Sequence, residues 1–170
     1  SLQSGSETIL QLMKRRYRIS KFENIIKLIK ENIESSCIGT DVIAGFPGET
    51  NDLFKESYDY IQKSLLDYLH VFPYSDRRGT KASIREDKVS EDLKKSRSKA
   101  LRELGESKKI DFYSKFIGKR LAAISEKNYH ARTRNYIDVN MMKKEFVEPG
   151  KMMDLIIDRI EDGKAYGRYI

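Results

Sequence analysis

The chain has 170 residues with 39% hydrophobic and 35% charged side chains, the balance of an ordinary folded domain or two small ones. No run approaches the roughly 20 apolar residues a membrane helix needs, and no charged-then-apolar leader opens the chain, so the expectation is a cytoplasmic protein with no membrane partner. One cysteine, Cys37, excludes an internal disulfide and cannot supply the three or four thiolates of an iron–sulfur cluster, and His70 and His130 have no cysteine beside them, so no metal-ligand pattern is present. The net charge of +7 is uneven. Residues 1–74 hold nine Lys/Arg against ten Asp/Glu, residues 75–119 hold fourteen against eight, and residues 120–170 hold ten against eight. The surplus of cations in the middle third suits a polyanionic partner, and it equally suits a solvated helix rich in lysine.

In chain order, Ser1-Leu2-Gln3-Ser4-Gly5 reads as the end of a strand running into a turn, which leads one to expect a sheet cut short at this point. A short helix follows from Ser6 or Glu7 with Ile9, Leu10, Leu12 and Met13. Ser20 reads as a helix N-cap, with Glu23 completing a capping box, and Phe22, Ile25, Ile26, Ile29 and Ile33 recur at helical spacing behind it. Cys37–Ala44 is short and rich in β-branched residues, which predicts a buried strand that includes Cys37. Gly45-Phe46-Pro47-Gly48-Glu49-Thr50 is a tight turn, with Thr50 capping a helix that bears Leu53, Phe54, Tyr58 and Ile61. A strand over Tyr68–Phe72 then leads into a polar loop from Pro73 to Lys81. Strands alternating with helices predict a parallel sheet with crossover connections, and such folds bind ligands at the C-terminal strand ends.

From Ser90 to about Phe116 there is no proline, one glycine, and thinly spaced Leu93, Leu101, Leu104 and Ile110 among charges. This predicts a long, largely exposed helix joining two units. After Gly118 the period changes to two: Leu121, Ala123 and Ser125 alternate with Ala122, Ile124 and Glu126. Further strands are expected at Tyr136–Val139 and Met152–Ile157, a turn at Glu148-Pro149-Gly150, and punctuation at Gly163 and Gly167. Four or five short strands in about 50 residues predict a small β-barrel. The division expected is therefore 1–89, a connecting helix over 90–118, and 119–170.

Two motifs invite chemistry. The Gly45–Thr50 turn lacks the lysine of a phosphate-binding P-loop and the spacing of a dinucleotide fingerprint, and Pro47 removes a backbone donor; a plain tight turn and a close approach to a flat ligand stand about level. The run His70–Thr80 (HVFPYSDRRGT) sets aromatic and proline residues beside Arg77 and Arg78. It reads either as a surface loop with solvated arginines or as a shelf for a base with cations for phosphates.

Taken together, LQSGS at the start, MKRRY over Met13–Tyr17, TDVIAGFPGET over Thr40–Thr50 and HVFPYSDRRGT resemble, in order and spacing, the radical S-adenosylmethionine (SAM) methylthiotransferases. The form SLQSG with HVFPYS looks most like the branch that acts on N6-threonylcarbamoyladenosine at tRNA position 37. FIGKRLAAISEKN, RTRNYIDV and EPG resemble that family's C-terminal TRAM domain, a small RNA-binding β-barrel. The resemblance spans essentially the whole chain. It implies an α/β fold made of the C-terminal half of a parallel radical-SAM barrel followed by an all-β TRAM barrel. It also implies SAM and, in full-length members, [4Fe–4S] clusters whose cysteines are not in this sequence, so a chain of this extent is expected to be inactive by itself.

By the resemblance, SAM would lie across the strand ends. Gln3 and Ser4 would sit near its ribose and methionine part, and Arg15 would meet the carboxylate. Ile43 and Gly45 would flank the adenine, with backbone contacts from Val71, Phe72 and Pro73. Asp41, of opposite parity to Val42, and Tyr74 are possible substrate contacts. Arg77, Arg78, Arg132, Arg134, Asn135 and Tyr136 would meet the RNA of the tRNA anticodon loop. The implied chemistry reduces SAM to a 5′-deoxyadenosyl radical on the cluster and inserts a methylated sulfur at C2 of the adenine, with no acid–base residue from this chain. Three alternatives stay open: an isopentenyladenosine-tRNA methylthiotransferase, a ribosomal-protein methylthiotransferase, and a non-catalytic RNA-binding module. Half a barrel would also expose a sheet edge, which leads one to expect partial disorder or dimerisation there.

Overall fold

The computed structural model describes residues 1–142 and 147–170. They form two compact units, Ser1–Glu106 and Ser107–Ile170. The division falls within the long helix, for which the sequence predicted a connector over 90–118 between the two units.

The first unit contains α1 (Glu7–Leu12), α2 (Ile19–Asn32), β1 (Gly39–Ala44), α3 (Asn51–Lys63), β2 (Tyr68–Pro73) and the first part of α4 (Glu91–Ser114). β1 and β2 pair in parallel, from Gly39 opposite Tyr68 to Ala44 opposite Pro73. Gln3 bridges Val42 in parallel on the other side of β1, so the strand end read at the N-terminus is present. Along β1 the side chains alternate. Thr40, Val42 and Ala44 are buried, while Asp41 and Ile43 are half-buried on the opposite face. The buried face joins a core of Leu2, Ile26, Ile61, Leu66, Leu101 and Leu104. Each such side chain taken out of water contributes about 1.5–3 kcal/mol, and this burial holds short helices that could not persist alone.

Local signals at the helix ends are followed in one case and overridden in another. Thr50 caps α3 as expected, its hydroxyl accepting the Leu53 N–H at 3.2 Å. Thr50→Ala is expected to cost about 1 kcal/mol; chemical denaturation followed through amide exchange in α3 would measure it, and an unchanged stability would show that the bond carries nothing. The capping box at Ser20 and Glu23 does not form. α2 begins at Ile19, whose N–H is taken by the Glu7 carboxylate at 2.7 Å. Glu23 pairs instead with Lys27 at 2.9 Å. A carboxylate supplied by a neighbouring helix serves the same orphan N–H groups as a local cap, so α2 starts two residues before the point a Ser20 cap would set. The apolar period of α2 also overstates its buried face: Ile26 is buried, but Ile25 and Ile33 are about half exposed.

Cys37 lies before β1, half-buried, and not within a strand as predicted. Burial and the nearby Asp67 carboxylate push its thiol up to about 11, so it is an unreactive thiol near neutral pH. α4 spans the predicted helix but is not largely exposed. Lys94, Arg97 and Ser98 are buried along with Leu101 and Leu104, which makes its first half part of the α/β core. Among the described residues no helix is long and apolar enough to cross a membrane.

The second unit contains the remainder of α4 and five strands: β3 (Arg120–Glu126), β4 (His130–Thr133), β5 (Asp138–Met141), β6 (Met152–Glu161) and β7 (Lys164–Tyr169). They close into a barrel in the order β3-β4-β5-β7-β6, with β6 returning to β3. All pairs are antiparallel except β5 with β7. Ala123, Ala131, Val139, Leu155, Ile157 and Ala165 are fully or almost fully buried, as the period-two pattern requires. Two boundaries differ from expectation. The strand read at Tyr136–Val139 runs over Asp138–Met141, because Tyr136 sits in a turn with φ +62°. Gly167 does not end the barrel but lies within β7, where a Cβ would come 2.5 Å from the Ile156 carbonyl oxygen.

Candidate ligand cavity and nucleic-acid surface

At the C-terminal ends of the parallel strands lies a cavity of about 540 Å³, within the usual size of small-ligand sites. It is lined by Gln3, Ile43 and Phe46 from the first strand ends, and by Phe72, Pro73, Tyr74 and Ser75 from the end of β2. Arg15, Asp41, Arg77, Thr80 and Ala82 complete it. Parity places Asp41, Ile43 and Phe72 there. Each faces away from the core that holds Val42, Ala44 and Val71.

Two polar groups of opposite sign meet in this cavity. Asp41 accepts a hydrogen bond from the Ser1 hydroxyl at 2.6 Å and lies 3.4 Å from the His70 imidazole, and these two hold its carboxyl below the usual range. It is therefore an anion at neutral pH. Arg15 follows α1 and has no carboxylate within ion-pair distance among the described residues, so its guanidinium is available to a ligand. The aromatic wall is fixed by packing. Phe46 meets Tyr74 edge to face with centroids 5.2 Å apart, and the Lys94 ammonium lies 5.5 Å from the Tyr74 ring centre. The Tyr74 hydroxyl donates to Asp76 at 2.9 Å, which sets the plane of the ring.

The turn that carries Phe46 is held from beneath by a buried ion pair. Glu49 and Arg97 are each 5% exposed. The Glu49 carboxylate accepts from the Gly45 N–H at 2.8 Å and from Arg97 at 2.9 Å. Arg97 also donates to the Glu49 carbonyl and to Asn51, and stacks over Phe54. Burial pushes the Glu49 carboxyl up, and the Gly45 and Arg97 hydrogen bonds pull it back. Gly45 has φ +76°, and a Cβ there would strike the Lys94 side chain at 2.4 Å, so this turn requires glycine.

Of the SAM residues expected by resemblance, Gln3, Arg15, Ile43, Phe72 and Pro73 line the cavity, as do the possible substrate contacts Asp41 and Tyr74. Val71 turns its side chain into the core, leaving only its backbone toward the strand end. Ser4 is fully buried and turned away: its hydroxyl accepts the Ser6 N–H at 3.2 Å. Gly45 is not among the lining residues. Phe46, Thr80 and Ala82 were not anticipated. Phe46 had a visible signal, an aromatic set between two glycines in a turn, whereas the Glu49–Arg97 pair joins positions 48 apart and had none.

On the barrel, Arg132 is not free for a ligand. Its guanidinium bridges Glu126 at 2.9 Å and Asp138 at 2.8 Å. The turn from β4 to β5 offers more. Arg134 is exposed and has no carboxylate partner among the described residues, and Tyr136 is 69% exposed with φ +62°. Asn135 is oriented by the Thr133 hydroxyl at 2.6 Å, and its amide nitrogen is buried without a hydrogen-bond partner. An exposed cation, an orphan amide donor and an exposed ring thus follow one another. Arg77 reaches the cavity, while Arg78 lies beside it in the same exposed loop.

The chain thus combines an α/β unit with a cavity at its parallel strand ends and a small closed β-barrel. No family model matches the chain. Among proteins of known name, it is 43% identical over 157 residues to the threonylcarbamoyladenosine tRNA methylthiotransferase MtaB of Aquifex aeolicus, covering 92% of this chain and 38% of that protein. It is 40% identical to the protein of the same name from Rickettsia prowazekii over 96% of this chain and 38% of that one. Identity is 33% to the tRNA-2-methylthio-N(6)-dimethylallyladenosine synthase of Acetivibrio thermocellus, over 99% of this chain and 36% of that protein. The chain is thus homologous to the tRNA methylthiotransferases over nearly its whole length, and it spans a little over a third of the relatives it matches.

Proposed function

We propose that this chain is the SAM-holding and RNA-holding part of a methylthiotransferase that modifies N6-threonylcarbamoyladenosine at tRNA position 37. The observation that carries the reading is the strand-end cavity, which sets a free guanidinium, an anionic carboxylate and a fixed aromatic wall together in a chain 43% identical to an enzyme named for that nucleoside. In this reading the α/β unit is the C-terminal half of a radical-SAM barrel, and the five-stranded barrel is a TRAM domain.

The donor set fits an amino-acid nucleoside. Arg15 matches the methionine carboxylate, where a planar guanidinium binds with two parallel hydrogen bonds. Ile43, Phe46 and Phe72 give the adenine an apolar bed, and Gln3 serves the ribose. Asp41, kept ionised by Ser1 and His70, accepts from an ammonium or hydroxyl of SAM or of the substrate. SAM, when bound, supplies the reacting group, and the residues of this chain bind and orient it. A [4Fe–4S] cluster does not fit this chain, whose single thiol cannot ligate one.

The test is binding of SAM and of an anticodon stem-loop, measured separately by calorimetry. Arg15→Ala is expected to abolish most SAM affinity and leave RNA binding intact. Tyr136→Ala is expected to weaken RNA binding by about 1–3 kcal/mol through lost stacking. Arg134→Ala is expected to flatten the salt dependence, while Arg132→Ala changes it less because that cation is already paired. A native chain that binds neither SAM nor RNA at low salt would refute the proposal.

A further inference from the structure

The proposed function leaves one cation of the strand-end cavity without a role. Arg77 lines the same cavity as Arg15, and among the described residues it has no ion-pair partner. The acidic groups nearby are committed elsewhere: Asp76 to Lys88 and Tyr74, and Asp87 to Arg85.

The two arginines belong to elements on opposite sides of β1. Gln3 bridges Val42 on one side. The segment carrying Arg15 is tied to that strand end by the Tyr17 hydroxyl, which donates to the Ser1 and Leu2 carbonyls at 2.8 and 2.9 Å. β2 pairs on the other side of β1, and Arg77 sits in the loop that follows it. β1 itself contributes the Asp41 carboxylate to the cavity. An anion on the middle strand disfavours a second anion beside it, so the flanking guanidiniums suit two separate anionic groups. The loop also holds Arg77 in a defined turn. Its carbonyl accepts from the Thr80 N–H at 3.2 Å and from the Thr80 hydroxyl at 2.9 Å, and the Thr80 carbonyl accepts from the Ser83 hydroxyl at 2.8 Å.

We propose that Arg77 is a specificity-determining residue: its guanidinium takes the carboxylate of the threonyl group on the substrate nucleoside, while Arg15 takes that of SAM. This role rests on the reading of N6-threonylcarbamoyladenosine as substrate. That nucleoside ends in a free carboxylate, whereas a dimethylallyl group is an uncharged hydrocarbon. Two carboxylates therefore enter one cavity, and two unpaired guanidiniums are there to meet them. A planar guanidinium binds a carboxylate through two parallel hydrogen bonds, which an ammonium cannot match. Arg77 is exposed, so it stays hydrated when no carboxylate arrives, and it discriminates by the contact it gains. Arg78, next in the loop but outside the cavity, is left for a phosphodiester.

The experiment measures binding of the full chain, at one fixed KCl concentration, to four anticodon stem-loops that differ only at the target adenosine. The adenosine carries a threonylcarbamoyl group, its methyl ester, a dimethylallyl group or no substituent. The proteins are native, Arg77→Ala, Arg77→Lys, Arg78→Ala and Arg15→Ala, and SAM binding is measured in parallel. The native protein is expected to favour the threonylcarbamoyl loop over the ester and dimethylallyl loops by about 10- to 100-fold, the range of a charge-assisted contact. Arg77→Ala should erase that preference while leaving affinity for the other three loops and for SAM unchanged, and Arg77→Lys should keep only part of it. Arg78→Ala should weaken all four loops alike. Equal weakening of all four by Arg77→Ala overturns the assignment, because it makes Arg77 a phosphate contact. So does loss of SAM affinity in Arg77→Ala, or a preference that survives Arg77→Ala and vanishes in Arg15→Ala. A native protein that binds all four loops equally overturns it too. Each of these outcomes strikes the role of Arg77 alone, whereas a native chain that binds neither SAM nor RNA overturns the underlying reading as well.

Discussion

Glu49→Ala is expected to destabilise the α/β unit by about 3–5 kcal/mol, the cost of breaking a buried pair and leaving one charge behind. The charge left is Arg97, 5% exposed, and a guanidinium cannot shed its proton to escape. Adding Arg97→Met to Glu49→Ala should recover more than half of the loss, because the stranded cation is gone. Denaturant dependence of amide exchange at Val42, in the core strand beside the turn, reports this unit alone. A loss below about 1 kcal/mol would show that Arg97 turns out to solvent and that the pair is not a structural pin. The reverse single change behaves differently with pH. In Arg97→Met the Glu49 carboxyl keeps the Gly45 hydrogen bond but loses the charge and hydrogen bond of Arg97, so its folded-state pKa rises further above the unfolded value. The folded form then keeps a proton that the unfolded chain releases. Stability of Arg97→Met should therefore be greatest at acid pH and fall as pH rises through the folded pKa, whereas Glu49→Ala, with no carboxyl at this position, lacks that contribution. Because the pair holds the Gly45–Thr50 turn, and with it Phe46, both single changes should also weaken ligand binding in the cavity.

The second large effect is expected in the other unit. Gly167→Val should cost the barrel about 3 kcal/mol, since its Cβ would stand 2.5 Å from the Ile156 carbonyl oxygen and 3.0 Å from Val139. Backbone on a paired strand cannot step aside without breaking the β6–β7 ladder, which runs from Leu155–Tyr169 to Glu161–Lys164. Amide exchange at Val139 and Leu155 should accelerate strongly while Val42 stays protected. Equal acceleration in both units would show that the damage is not confined to the barrel, and no acceleration would mean that the barrel can widen at β7. RNA affinity should fall together with barrel protection if the β4–β5 turn is a binding surface.

The amino-acid sequence by itself determined whatever depends on neighbours close in the chain. Period-two alternation over Leu121–Glu126 announced a barrel strand, Thr50 announced a helix start, and Gly45–Thr50 announced a turn, because each rests on local geometry. Parity along β1 was equally legible, since alternate side chains of a strand must point to opposite faces, and this set Asp41 opposite Val42. The motifs resembling methylthiotransferases pointed to the strand ends, where the structure has a cavity, for the same reason, since strand ends are defined by sequence order. Tertiary structure decided everything that depends on distant partners. Glu7 displaced Ser20 as the source of the α2 cap, and Arg97, one cation among many on a charged helix, proved to be buried on Glu49. Glu126 and Asp138 claimed Arg132, while Arg134 was left open. The physical reason is common to all three: the energy of a charge is set by which partner lies within a few ångströms, and only the folded chain brings such pairs together.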